Sequence, residues 1–285
     1  MTLALRGKAR RQMRSFLYSL FMCILALFWF LPILWMFSTS FKPNQMAASY
    51  PIRWIPSPWT WENYVTVVKV GRGIDIPKAF SNSVIVSTLV AIGVLLTATP
   101  AAYVFARVKF RGRDILFWAI VATLALPVQM FYVPVYIIVD RMGLLDTLPA
   151  LILPPISPAL GVFLLRQFML SIPGELEDAA RIDGCSRLRF LVSIAVPLVK
   201  PALVSLGLIT FLSSWNNLMW PLLVIRTPSK MTLPLALARF QGTYHFVFEA
   251  GTIMAGVTFA IMPVIVLFAF LHTWIIRGVS LSIEK

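Results

Sequence analysis

Residues 84–106 read VIVSTLVAIGVLLTATPAAYVFA, a run without a charged side chain, and residues 107–113 close it with RVKFRGR. As a helix, such a run is long enough to cross a hydrocarbon core about 30 Å thick. Apolar runs of similar length recur at 16–37, 115–139, 148–165, 202–225 and 253–276, so about six spans are expected. A lipid-facing barrel would instead alternate polar and apolar positions over segments of about 10 residues. The fold class predicted is therefore an all-α membrane protein.

Composition points the same way. Of 285 residues, 59% are hydrophobic and only 13% charged, with a mean hydropathy of +0.84, whereas soluble domains carry roughly 25% charge. The formal charge of +14 does not imply nucleic acid, because Lys and Arg sit between the apolar runs rather than on an aromatic-interleaved basic surface. They sort by side instead. With the N-terminus placed in the cytoplasm, 16 of 25 basic residues fall on inner segments, among them Arg6, Lys8, Arg10, Arg11, Arg14, Lys109, Arg111 and Arg277. That bias predicts both termini inside the cell. The organisation expected is a cytoplasmic segment 1–15, a transmembrane domain 16–276 and a cytoplasmic tail 277–285.

The basic start followed by an apolar run also has the outline of a secretory signal. Its apolar stretch is too long and lacks a small-residue cleavage pattern after Phe37, so a retained first helix is expected. Cys23 and Cys185 fall at different depths and are not expected to pair. Loop 38–79, rich in Pro and Trp, suits an outer segment at the membrane interface, either as an aromatic anchor or as a landing surface for an extracytoplasmic partner. Ser81, Asn82 and Ser83 offer N-cap oxygens where the second span begins. Pro127, Pro134, Pro149, Pro154, Pro155 and Pro158 predict kinks, tolerated where neighbouring helices satisfy the freed carbonyls. Gly251 with Ala255, and Gly256 with Ala260, are small pairs suited to close helix packing.

The most charged stretch lies between the fourth and fifth runs: Ser171-Ile172-Pro173-Gly174-Glu175-Leu176-Glu177-Asp178-Ala179-Ala180-Arg181-Ile182-Asp183-Gly184. Pro173 and Gly174 open a short helix of about nine residues, its early carboxylates suit the positive end of the dipole, and Gly184 suits its C-terminal cap. Alone in water such a helix is marginal. Leu176, Ala179, Ala180 and Asp183 share a narrow face that fits a protein groove, and Leu188 to Val199 continue toward the next span.

This segment resembles the hallmark of the inner-membrane permease subunits of bacterial ATP-binding-cassette importers: Glu-Ala-Ala, three residues, Gly, nine residues, then Ile-x-Leu-Pro. Asp178-Ala179-Ala180, Gly184, Ile194 and Pro197 stand at those spacings, with Asp178 in place of Glu and Val196 in place of Leu. The similarity narrows to the carbohydrate-uptake branch, most like the maltose-type second permease subunit. It rests on Thr39-Ser40-Phe41-Lys42-Pro43, Ala101-Ala102-Tyr103, Ala106-Arg107, Gly143-Leu144-Leu145-Asp146-Thr147, Leu165-Arg166-Gln167-Phe168 and Trp215-Asn216-Asn217. The tail from Arg277 to Lys285 departs from the maltose-type ending.

The resemblance implies a bacterial inner-membrane permease with about six spans and a cytoplasmic coupling helix, within segment 173–201, between spans 4 and 5. Glu175, Glu177, Asp178, Ala179, Ala180, Asp183 and Gly184 would dock an ATPase. The implied partners are a second homologous permease, two ATP-binding-cassette subunits carrying ATP and Mg, and an extracytoplasmic solute-binding protein. The chain itself has no G-x-x-x-x-G-K-[ST] run, and no cofactor or catalytic residue of its own is expected. His245 and His272 make no metal-ligand spacing. Gln129, Tyr132 and Tyr136 in the third span, with Trp215, Asn216 and Asn217 in the fifth, are the polar and aromatic candidates for a substrate path, or for pairing between helices. A sugar or oligosaccharide is the expected cargo; a polyol, glycerol phosphodiester or acidic oligosaccharide is the alternative. An ion-coupled carrier would want ionisable groups inside the spans, which these runs scarcely hold.

Overall fold

The computed structural model describes residues 2–47, 49–69, 74–243 and 249–280, with side chains described within 13–47, 49–69, 74–239 and 249–270. His245 and the end of the tail, 281–285, lie outside those residues, as does the side chain of His272. Every regular element described is helical. The principal helices are α1 (Thr2–Ser40), α2 (Glu62–Val68), α3 (Ile76–Arg107), α4 (Arg113–Ala122), α5 (Tyr132–Arg141), α6 (Ala159–Leu170), α7 (Gly174–Ile182), α8 (Lys200–Trp215), α9 (Leu233–Thr243) and α10 (Ala250–Ser280).

Met13–Ser40 of α1, all of α3 and Ala250–Phe270 of α10 are long and apolar enough to cross a membrane. Three bent pairs meet the same test when each is taken together, giving up to six spans. The pairs are Arg113–Ala125 with Val128–Arg141, Pro149–Ile156 with Ala159–Leu170, and Arg187–Leu198 with Lys200–Trp215, bent by 101°, 44° and 80°. The run 115–139, expected as one helix, is broken at Leu126 and Pro127, both of them extended. A residue before proline is pushed out of the helical region. Ser157, before Pro158, leaves the helix for the same reason. Pro134 makes no kink, because it falls in the first turn of α5, where no backbone donor is needed. The 202–225 run ends its helix at Trp215 and resumes as a short helix, Met219–Val224.

The chain divides into two units, residues 1–69 with 240–259, and 70–239 with 260–285. In the larger, α3 is central. Val86, Val90, Val94, Ala98 and Ala102 recur every four residues along it and are buried, while Leu89, Ile92 and Leu96 on its other side are exposed. An apolar face left open in this way suits lipid or another membrane helix as its surroundings. Closest approach relies on small residues: a Cβ added to Gly161 of α6 would stand 3.1 Å from Ala98 and 3.4 Å from Leu206 of α8, and one added to Gly93 would stand 2.7 Å from Ile156.

Asn82 and Ser83 do not cap α3, as their residue types suggested. Asp75 does, its Oδ1 accepting from the Lys78 amide at 2.8 Å. Asn82 instead donates to the Ser229 and Met231 carbonyls, both at 2.9 Å, and Ser83 Oγ accepts from the Leu233 amide at 2.7 Å. These bonds hold the loop before α9 against α3.

A second polar fastening closes the same region. Asp146, at φ 57 in the loop after α5, accepts from the Arg226 and Thr227 amides at 2.9 Å, from the Thr227 hydroxyl and from Lys230 Nζ at 3.3 Å. The Thr227 hydroxyl, followed by the Thr227 amide, holds the Asp146 carboxyl well below its ordinary value of 3.8. Folding therefore favours the charged form. Its stabilisation is present above about pH 4 and fades as the pH falls through the lowered folded value. Asp146→Asn should lower stability by about 2 kcal/mol at neutral pH, and the gap from wild type should narrow on acidification. Thermal melts of both proteins in detergent across pH check this.

In the smaller unit, the Thr39–Pro43 turn is gripped by side chains. Asn63 of α2 donates to the Ser40 and Lys42 carbonyls at 2.8 and 2.7 Å. Asn44 and Thr252 exchange two bonds, at 2.9 and 3.0 Å. Phe41 packs among Phe37, Trp59, Trp61 and Tyr64. Lys42 is buried with its Nζ 3.8 Å from the centre of the Trp35 ring, and that burial lowers its pKa.

Candidate functional site

The charged segment forms α7, nine residues from Gly174 to Ile182. Extended Pro173 precedes it, and Glu175 and Glu177 occupy the first turn, where the helix dipole favours carboxylates. Its end is a Schellman closure: Gly184 at φ 75 donates its amide to the Arg181 carbonyl at 3.1 Å, and the Cys185 amide reaches the Ala180 carbonyl at 2.9 Å. A Cβ at Gly184 would meet no atom, so the positive φ is what calls for glycine there.

The expected docking face divides in two. Ala180 is buried in a cluster with Tyr103, Ala106, Met169, Ile172 and Phe190. Glu177 is also turned inward: its side chain is 15% exposed and lies 3.9 Å from Arg107 and 3.5 Å from Arg181. The two therefore seat the helix on its own chain instead of presenting it outward. Glu175, Leu176, Asp178, Ala179 and Asp183 are exposed, and so is Ile182, at 87%. Glu175, Asp178, Ala179 and Ile182 stand at i, i+3, i+4 and i+7, which is one helix face. Ile182 was missed in the sequence, although its spacing from Asp178 and Ala179 was available there.

The seat is built on Arg107, the last residue of α3. Its Nε and Nη2 donate to the Met169 carbonyl at 3.1 and 2.7 Å, and Nη2 also donates to the Ile172 carbonyl. A cation thus covers carbonyls at the C-terminal end of α6 that have no partner within the helix. Arg166 of α6 returns the contact, donating to the Phe105 carbonyl at 3.2 Å and lying 4.0 Å above the Phe117 ring. Beyond α7, Ser186 caps Arg187–Phe190, a π-helical turn spans Leu191–Ala195, and the chain then bends into α8.

The six substrate-path candidates have different settings. Gln129 is exposed in the short turn Val128–Phe131, just after the 101° break. Tyr132 is half-buried, 6.0 Å from the Trp220 ring, and the Tyr136 hydroxyl accepts from Arg226 at 3.4 Å. Asn216 is exposed, while Asn217 accepts from the Trp220 amide at 3.3 Å. Trp215 is only 2% exposed. Its ring stacks on Phe211, meets Phe80 edge-on and donates to the Ala260 carbonyl at 3.3 Å. The indole is thus engaged in packing within this subunit, and of the six candidates Trp215 is the least open to a solute.

Residues 98–281, which include α6, α7, α8 and the turns between them, match the family described as the binding-protein-dependent transport system inner membrane component. The chain belongs to this family. The permease is 31% identical to the arabinooligosaccharides transport system permease protein AraQ of Halalkalibacterium halodurans, over 92% of each chain. It is likewise 31% identical to the sn-glycerol-3-phosphate transport system permease protein UgpE of Brucella abortus, over 87% of this chain and 89% of that one. Its fold matches a chain of a bacterial ABC transporter involved in the import of the acidic polysaccharide alginate, with a TM-score of 0.79 over 92% of this chain and 96% of that one, at 23% identity. The permease is thus a transmembrane subunit of an ATP-binding-cassette importer, and a component of the inner membrane.

Proposed function

We propose that this subunit forms half of a translocation path for a sugar or oligosaccharide handed over by an extracytoplasmic binding protein, and that α7 docks it to an ATPase. The observation that carries the docking reading is the division of α7: Ala180 and Glu177 fasten it to its own chain, while Asp178, Ala179 and Ile182 face outward. An exposed apolar side chain beside a carboxylate is what a groove with a basic rim would take. The rest of the assembly is a second, homologous permease and two ATPase subunits that bind ATP and Mg. Both termini of this chain face the cytoplasm.

Support for a carbohydrate comes from relatives named for arabinooligosaccharides and trehalose. The relative named for sn-glycerol-3-phosphate favours a second reading, in which the cargo is a small phosphorylated polyol. Gln129, Tyr132, Tyr136, Asn216 and Asn217 are the proposed side chains of the path, with amides and rings suited to hydroxyl groups and sugar faces. The deciding experiment is to purify the complex with its binding protein and identify the ligand held. A neutral saccharide is expected; a phosphorylated polyol would replace the first reading with the second.

A further inference from the structure

We infer that the Arg107–Glu177 pair is the joint through which movement of α7 reaches the long helix α3. This rests on the proposal that α7 is the element the ATPase moves. A nine-residue helix has little stability of its own, so a force on it passes through the chain at each end and through its two non-covalent attachments. One is the apolar seat around Ala180, where contacts are non-directional and can slide. The other is directional. Arg107 spends Nε and Nη2 on the Met169 and Ile172 carbonyls and leaves Nη1 facing Glu177. The planar guanidinium thus ties the end of α3, the end of α6 and the inner face of α7 in one fixed fork.

Both partners are well shielded, at 12% and 15% side-chain exposure, so solvent and salt weaken the pair less than a surface bridge. Its 3.9 Å separation is longer than a direct hydrogen bond. Beside it lies the buried Tyr103 hydroxyl, close enough to Glu177 for the carboxylate to act on it but without a well-formed hydrogen bond to any described residue. Glu177, whose other oxygen pairs with Arg181 of its own helix at 3.5 Å, therefore has two groups of α3 within its influence, and a small shift of α7 exchanges or tightens these contacts. A second arrangement of one half-buried carboxylate is what a moving joint requires.

The test uses the full complex, with both ATPases, the second permease and the binding protein, reconstituted in vesicles. Glu177→Gln keeps the shape of the side chain and removes its charge; Arg107→Lys keeps a cation and loses the fork. Both should copurify the ATPase at wild-type stoichiometry, yet move about tenfold less solute per ATP hydrolysed. Wild-type solute per ATP in Glu177→Gln would overturn the joint, and so would loss of the ATPase from that variant, since Glu177 would then be a docking residue. If Arg107→Lys fails to insert, Glu177→Gln carries the test alone. Asp178→Lys, run in parallel, separates the two ideas. ATPase retained by Asp178→Lys removes the docking reading and the joint with it, whereas its release, with normal coupling in Glu177→Gln, removes the joint only.

Discussion

Asp178→Lys should release the ATPase subunits and stop uptake, while the chain still inserts and melts as the wild type does. Asp178 is exposed on α7 and makes no ion pair among the described residues. Its loss therefore leaves nothing unsatisfied inside the subunit. At an interface the cost is different, because reversing one charge leaves the facing charge desolvated and repelled. Even the lower end of what such truncations cost corresponds to about thirtyfold weaker binding. Copurification of the ATPase with the tagged permease reads the first effect, and solute uptake reads the second. Ile182→Ala should weaken docking in the same direction, since a side chain 87% exposed gains its burial only from a partner.

Gly251→Val should strongly destabilise the smaller unit. A Cβ there would stand 2.7 Å from the Lys42 carbonyl and Asn63 Nδ2, and 2.9 Å from Asn44 Oδ1. Those atoms are the knot that joins the Thr39–Pro43 turn, α2 and the start of α10. Overpacking and loss of buried hydrogen bonds together should cost about 3 kcal/mol or more. Tryptophan fluorescence melts in detergent should show a lowered transition. Gly174→Ala is the matched control, for a Cβ at Gly174 meets no atom within 4 Å, and its melting temperature should stay close to wild type.

The membrane class was legible because lipid demands long apolar helices, and that demand is written into runs such as 84–106. The hallmark from Asp178 to Pro197 was legible because its parts are local: dipole, cap glycine and spacing. What failed was long-range. Asn82 and Ser83 have side chains that cap a helix or bond a distant loop equally well, and only the fold brings Ser229, Met231 and Leu233 to them. Glu177 and Asp178 are adjacent carboxylates about 100° apart around α7, and which one turns inward depends on where Arg107 ends α3. Prolines marked the breaks, but residue type alone did not give the size of the bend, 101° at Leu126–Pro127. Trp215 read as polar-capable at the sequence level, and its single donor is instead taken by the Ala260 carbonyl.

On the proposed reading, this permease transports nothing by itself and is driven through α7 by ATP hydrolysed elsewhere. The most direct measurement is uptake into vesicles holding either this chain alone under an imposed proton or sodium gradient, or the full complex with ATP and binding protein. Uptake only in the second case, and lost there with Asp178→Lys, is the predicted result. Gradient-driven uptake by the chain alone, without ATP, would contradict it.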